Sequence, residues 1–268
     1  MSHPLITLTT DFGLRDPWVG STKGVMLSIC PQASLVDLSH EIPRHDVAAA
    51  VYLLNRCLPY FPSRTVHFVV VDPGVGGARR PLVCSTHGHY VVGPDNGLFA
   101  DLCGSDPSSE CFEIAASDYL LTPPSQSPTF QGRDAFAPVA AHLAKGTPPA
   151  AFGPRVLDPI RTRVAPIASD AKGEVVWVDR FGNLISNLRP DGAIENAVVE
   201  LMGRRLPIVT RYEQGPPDRP CALVNSDRVV EVFVNQGDAA RMLGATVGTT
   251  ITLVKQGRDR VTPLEPPE

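Results

Sequence analysis

No apolar stretch in this sequence reaches the roughly 20 residues that a membrane span requires; the longest are of strand length. No block of like charges is present, which excludes a charged tail or a polybasic membrane patch. A formal net charge of -4 offers no basic stripe for nucleic acid. The opening, MSHPLITLTTDFG, carries neither a basic leader nor a cleavage site, so no signal peptide is expected and the expected location is cytoplasmic. Cys30, Cys57, Cys84, Cys103, Cys111 and Cys221 form no C-x-x-C pair. The common zinc and redox motifs are therefore excluded, and buried reduced thiols are expected. His40, His45, His67, His87, His89 and His142 lack metal-ligand spacing, so no metal site is expected. His87 and His89 fall in a polar turn, expected to be an exposed loop.

What is present reads as two regions. The first alternates strand and helix patterns. Leu5–Thr10, Leu35–Leu38, Val66–Val71 and Tyr90–Val92 read as strands. Trp18–Ile29, Val47–Phe61 and Ala135–Ala144 read as helices, with Asp46 placed to cap the second. Such alternation predicts an α/β fold with a mainly parallel sheet. Gly146 to Lys172 is rich in proline and alanine and reads as a connection. After it come seven short strand patterns separated by turns, which predict a smaller all-β, barrel-like domain. The expected division is 1–160 for the α/β domain, 161–172 for a linker, 173–258 for the β-barrel domain and 259–268 for a disordered tail.

Four motifs carry polar chemistry. Asp11, in Thr9-Thr10-Asp11-Phe12-Gly13, ends the first strand. A kinase D-F-G is excluded because its partner motifs are missing. A carboxylate there can accept both hydroxyls of a ribose, or Asp11 and Asp16 can simply cap the next helix. The second motif runs from Val71 and Asp72 through Pro73-Gly74-Val75-Gly76-Gly77 to Arg79 and Arg80. It is neither a P-loop nor G-x-G-x-x-G. It can bring Asp72 to a downstream guanidinium, either to hold a water or as a structural salt bridge. The third, Thr129-Phe130-Gln131-Gly132-Arg133-Asp134, precedes a helix and could equally be a capping turn. The fourth, Asp179-Arg180-Phe181-Gly182-Asn183, could wall a purine or close a β-hairpin.

Taken together and in order, T-T-D-F-G, V-D-P-G-V-G-x-x-R-R, P-D-N-G, T-F-x-G-R-D and F-G-N resemble the S-adenosylmethionine hydroxide adenosyltransferase family, whose halide-using relatives are the fluorinase and chlorinase. The match extends from about Leu5 to about Val254. The resemblance implies hydrolysis of S-adenosyl-L-methionine (SAM) to adenosine and L-methionine by in-line attack of water on the ribose 5′ carbon. It implies a homotrimer with active sites at subunit interfaces, SAM as the small-molecule partner, and no cofactor.

By motif position Asp11 corresponds to the ribose ligand, and Asp16 and Asp179 to positions near the methionine amino group. Phe181 and Asn183 correspond to the adenine and ribose wall, Ser226 to a methionine carboxylate contact, and Asn235 to an adenine contact. Asp72, Arg79 and Gln131 stand at the water-activating trio, where the family usually has T-F-H-G-R-D. Gln131 replaces that histidine; an amide can bond a water but not take its proton near neutral pH. A slow hydrolase is therefore expected, with a non-catalytic SAM or adenosine binder as the alternative. A methyltransferase is disfavoured because no glycine-rich loop follows the first strand. A structural subunit without a ligand would melt independently of SAM.

Overall fold

The computed structural model describes residues 3–121, 128–160, 167–168, 171–191, 194 and 197–255. The chain divides into two compact units, Met1–Val164 and Ala165–Glu268.

The first unit contains β1 (Leu5–Thr10), α1 (Trp18–Ile29), β2 (Ser34–Ser39), α2 (Val47–Cys57), β3 (Val66–Val70), β4 (Pro81–Thr86), β5 (His89–Pro94), α3 (Ala100–Ser105), β6 (Glu110–Glu113), α4 (Ala137–Ala144) and β7 (Arg155–Val156). The strands lie in the order β2-β1-β3-β5-β4-β6-β7. β2, β1, β3 and β5 are parallel neighbours, whereas β4, β6 and β7 join antiparallel. The sheet is thus mixed, and parallel in the half that carries Asp11 and Asp72. Chain reversal between β4 and β5 has a local cause. His87 and Gly88 have φ of 50° and 77°, the two-residue hairpin conformation, and a parallel pair would need a long crossover.

All five residues of β3 are buried, as expected for a strand covered on both faces. α1 buries Val19, Thr22 and Met26, one stripe of a helix. Asp46 caps α2, accepting from the Ala49 N–H at 2.9 Å. The core gathers Leu8, Met26, Phe68, Val92, Phe136 and Phe152.

Three expectations change. The connection assigned to Gly146–Lys172 is partly structured: Pro149–Phe152 makes a 3₁₀ turn and Arg155–Val156 closes the sheet edge, because Phe152 is an anchor buried in the core. Of the linker 161–172, residues 161–166 and 169–170 lie outside the described residues, Ala168 bridges to Leu188, and Lys172 opens the next strand. His89 is buried on β5 rather than in an exposed loop, 3.3 Å from the buried His67. The cysteines are not all reduced: Cys84 and Cys111 face each other across β4 and β6 and are joined by a disulfide. Register across a sheet, not spacing along the chain, creates that pair. The expected tail, 259–268, lies outside the described residues.

The second unit contains β8 (Lys172–Val178), β9 (Leu184–Ser186), β10 (Ala197–Leu201), β11 (Arg204–Pro207), β12 (Pro220–Val224), β13 (Val230–Val234), α5 (Ala239–Leu243) and β14 (Thr250–Lys255). Its strands run in the order β11-β10-β14-β8-β9-β13-β12. All the strand pairs are antiparallel. Beyond β11, Ile208 bridges to Ala222 of β12, which brings the two edges together into a nearly closed barrel. Val175, Leu184, Val199, Val232 and Ile251 fill its interior. Among the described residues, no helix is long and apolar enough to cross a membrane.

Candidate active site

The first unit presents its polar motifs at the carboxyl ends of neighbouring parallel strands, where open α/β sheets bind ligands. Thr10 is the register partner of Val70, so Asp11 and Asp72 emerge at the same end of β1 and β3. Asp11 caps no helix. Pro17 is the N-cap of α1, without a side-chain bond. Asp11 Oδ2 instead accepts from the His45 N–H at 3.0 Å. Thr10 Oγ1 lies 2.8 Å from His40 Nδ1, and the Gly13 N–H donates to the His40 carbonyl at 2.8 Å, which fixes the strand end. Asp16 is exposed.

Asp72 and Arg79 form a closed pair. Arg79 Nε donates to Asp72 Oδ2 at 2.9 Å and Nη2 donates to the same oxygen. Their side chains are only 5% and 8% exposed. The adjacent arginine is engaged by other carboxylates. Arg80 Nη2 bonds the fully buried Asp95 at 2.7 Å, and Nη1 bonds Asp158 at 2.9 Å. Of the two arginines, only Arg79 faces Asp72.

The Gln131 segment closes against both motifs. Phe130 packs edge-on against Phe12 and Trp18, with centroids 5.8 and 5.2 Å apart. A Cβ on Gly76 would lie 2.9 Å from the Pro128 carbonyl oxygen, so the glycine loop approaches as only glycine allows. The Arg79 guanidinium sits 5.5 Å from the Phe136 ring centroid. Gly132–Phe136 is a π-helical turn in which the Ala137 N–H reaches the Gly132 carbonyl. Pro138 explains it: lacking an N–H, it cannot bond the Asp134 carbonyl, which accepts from Leu121 N–H at 2.9 Å instead. Such turns favour functional sites. The Asp134 carboxylate takes the Arg133 guanidinium at 2.6 and 2.8 Å. Gln131 is 4% exposed, and among the described residues its Oε1 accepts no hydrogen bond. Buried amide oxygens without a protein partner are uncommon, and such an oxygen suits a bound water.

In the second unit, Asp179–Asn183 is the hairpin turn between β8 and β9, the plainer of its two readings. Asp179 Oδ1 accepts from the N–H groups of Phe181 (2.9 Å) and Asn183 (2.8 Å). Gly182 has φ 79°, and a Cβ there would lie 2.2 Å from Asp238 Oδ1. The turn also lines a cavity of about 540 Å³ with Asp179, Phe181, Asn183, Tyr212, Phe233 and Asn235 on its wall, within the usual range for small-ligand sites. Phe181 is 74% exposed, an aromatic face offered to a flat ligand. Asn235 Nδ2 donates to the Gly215 carbonyl at 2.9 Å. Ser226 is exposed in the turn between β12 and β13 and is not on that wall.

Two residues on this side carried no sequence signal. Buried Glu231 accepts from Tyr212 Oη (2.6 Å), Asn225 Nδ2 (3.0 Å) and Asn183 Nδ2 (3.1 Å). Burial and the Glu231 carboxylate push the Tyr212 hydroxyl far up, so it stays protonated. Cross-strand contacts assemble this network, and no motif spans Asn183 to Glu231.

Comparison with known proteins follows the same two units. The model of the SAM hydroxide adenosyltransferase N-terminal domain matches residues 6–153, and that of the C-terminal domain matches residues 173–252. An (R)-S-adenosyl-L-methionine hydrolase of Thermus thermophilus is 40% identical over 91% of this chain and 97% of its own. One of Salinispora arenicola is 38% identical over 92% and 96%. The crystal structure of an uncharacterized conserved protein from Thermotoga maritima is 32% identical, covers 92% of this chain and 99% of its own, and has a TM-score of 0.84.

Proposed function

We infer a hydrolase from the premise that the chain belongs to the SAM hydroxide adenosyltransferase family: it cleaves S-adenosyl-L-methionine to adenosine and L-methionine. The observation that carries the chemistry is the buried Asp72–Arg79 pair at the end of β3. The sulfonium is already a good leaving group and needs no acid. The site must therefore supply position, exclusion of bulk water and a nucleophile opposite the carbon–sulfur bond. In this proposal Asp72, Arg79 and Gln131 hold one water in line with the 5′ carbon. Asp72 takes its proton as charge develops, Arg79 fixes the carboxylate, and Gln131 Oε1 accepts from the water.

The substrate contacts belong to the same proposal. Asp11 grips the ribose diol and Asp16 lies near the methionine amino group. Asp179 serves that group too: its oxygens accept three protein hydrogen bonds, leaving acceptor capacity on a carboxylate. Phe181, Asn183 and Asn235 form the adenine side, and Ser226 takes the methionine carboxylate. Water is preferred over halide because Asp72 repels an anion by about 4 kcal/mol at about 4 Å and a protein-like dielectric, part of which Arg79 offsets. The proposal extends to a homotrimer with active sites at subunit interfaces, a cytoplasmic location, and chemistry that calls on no cofactor.

Incubation with SAM, with and without chloride, followed by chromatography of the nucleoside, tests the reaction. Adenosine in both samples is expected. Tight SAM binding without turnover would replace this reading with a binding protein, which the glutamine at 131 would then explain.

A further inference from the structure

A second chemical centre lies at the antiparallel edge of the first unit's sheet. Cys84 on β4 and Cys111 on β6 are disulfide-bonded. Cys103 on α3 brings a third sulfur 3.4 Å from Cys111 Sγ. All three sulfurs fall within 4.8 Å of one another. Three cysteines without a shared motif thus converge on one spot, with one thiol in contact with a disulfide; the three sulfurs all lie within 4.8 Å and are not in line, so the Cys103 side chain turns before it attacks.

Access is provided. Cys103 and Cys111 line a cavity of about 210 Å³ whose wall includes Ser109, Asp106 and Arg155. Cys84 does not line it and is fully buried. Cys111 is therefore the sulfur that can be reached, and Cys103 is the thiol beside it.

We propose that Cys84, Cys103 and Cys111 form a thiol–disulfide exchange site, in which the Cys103 sulfur attacks Cys111 Sγ and relocates the crosslink. The Cys103–Cys111 bond forms as the Cys84–Cys111 bond breaks. Cys84 leaves as a thiolate and takes up the proton that Cys103 gave up, so no outside oxidant or reductant is consumed. The crosslink moves from two strands of the sheet to α3 and β6, and a buried thiol is released in the sheet. A small thiol entering the cavity reaches the same product: it attacks Cys111, expels Cys84, and is displaced in turn by Cys103. Burial is the main factor that pushes the Cys103 thiol up, with Asp106 adding to it and Ser109 opposing. The attacking species is the thiolate, so exchange is slow near neutrality and accelerates about tenfold per pH unit below that pKa. In reducing compartments, disulfides that persist are mostly exchanging or sensing ones rather than structural staples.

The test is disulfide mapping of the full chain. Protein handled without reductant is held at alkaline pH, quenched in acid, alkylated, and digested at aspartates. Asp95 and Asp106 fall between the three cysteines, so each lands on its own peptide. Both Cys84–Cys111 and Cys103–Cys111 linkages are expected, the second growing with time. Cys103→Ser should leave the first alone, and Cys84→Ser, in which Cys103 and Cys111 both start as thiols, should yield the second once oxidised glutathione is added as the disulfide that is reduced in exchange, which keeps the proposal testable if one variant folds poorly. Two results would overturn it. One is a Cys103 that is alkylated throughout while only Cys84–Cys111 is found. The other is three reduced thiols around a bound metal ion.

Discussion

Restoring a histidine at position 131 should speed hydrolysis by roughly 10²–10⁴, the usual contribution of a positioned acid–base group, or about 2.7–5.4 kcal/mol of barrier. The structure favours a clean exchange. Gln131 Oε1 accepts no hydrogen bond among the described residues, so Gln131→His breaks none at that atom. Its backbone has φ -63° and ψ -23°, ordinary helical values that histidine adopts. The neighbours that hold the segment, Phe130 against Phe12 and Arg79 over Phe136, use other side chains. The assay is the initial rate of adenosine release across pH. The variant should also gain a limb absent from the parent: a base must be neutral, so its rate falls as pH drops below about 6.5. A variant no faster than the parent, with the same pH profile, would show that Gln131 is not standing in for a base.

Asp72→Asn should lower turnover by roughly 10²–10⁴ while SAM binding measured by calorimetry persists; it also strands a buried guanidinium, at a cost of about 3–5 kcal/mol in denaturant unfolding. Glu231→Ala removes the acceptor shared by Tyr212, Asn183 and Asn225. It should raise KM about tenfold or more with a smaller change in kcat, and equal losses in both would refute a role in substrate binding. His67 is pushed down to about 3 by burial and secondarily by His89. Its folded pKa is below the unfolded one, so the contribution is present above about 6.5 and is lost as pH falls toward 3. Up to about 5 kcal/mol is at stake. His67→Asn, which cannot take the charge, should flatten the acid limb of a stability profile.

Local signals are legible in the sequence wherever one element suffices to produce them. The helix over Trp18–Ile29 matches its pattern residue for residue, and Asp46 caps as its position suggests. β4 is not legible, because its apolar run is only Leu82–Cys84, between Pro81 and the polar Ser85 and Thr86, although the pattern of its hairpin partner β5 is plain. Likewise the motif around Asp179 is legible as a turn, while its partner Glu231 is not, since the two meet only through the pairing of β9 with β13. The Cys84–Cys111 disulfide belongs to the same class: a contact fixed by register, 27 residues apart.

The replacement at 131 need not abolish the reaction, and the reason lies in the leaving group. Methionine departs from a sulfonium as a neutral thioether, so no proton must be delivered to it. The remaining demand is on the nucleophile, and it can be met by a carboxylate that is already anionic. In the Asp72–Arg79 pair the guanidinium holds both carboxylate oxygens, which fixes the orientation of the lone pairs that face a water. A histidine would then improve the timing of proton removal rather than create the reaction. This ordering has a consequence in a double variant: Asp72→Asn combined with Gln131→His should recover only part of the rate lost by Asp72→Asn alone, because the imidazole inherits the proton but not the placement. Full recovery would move the essential base from β3 to the π-helical turn.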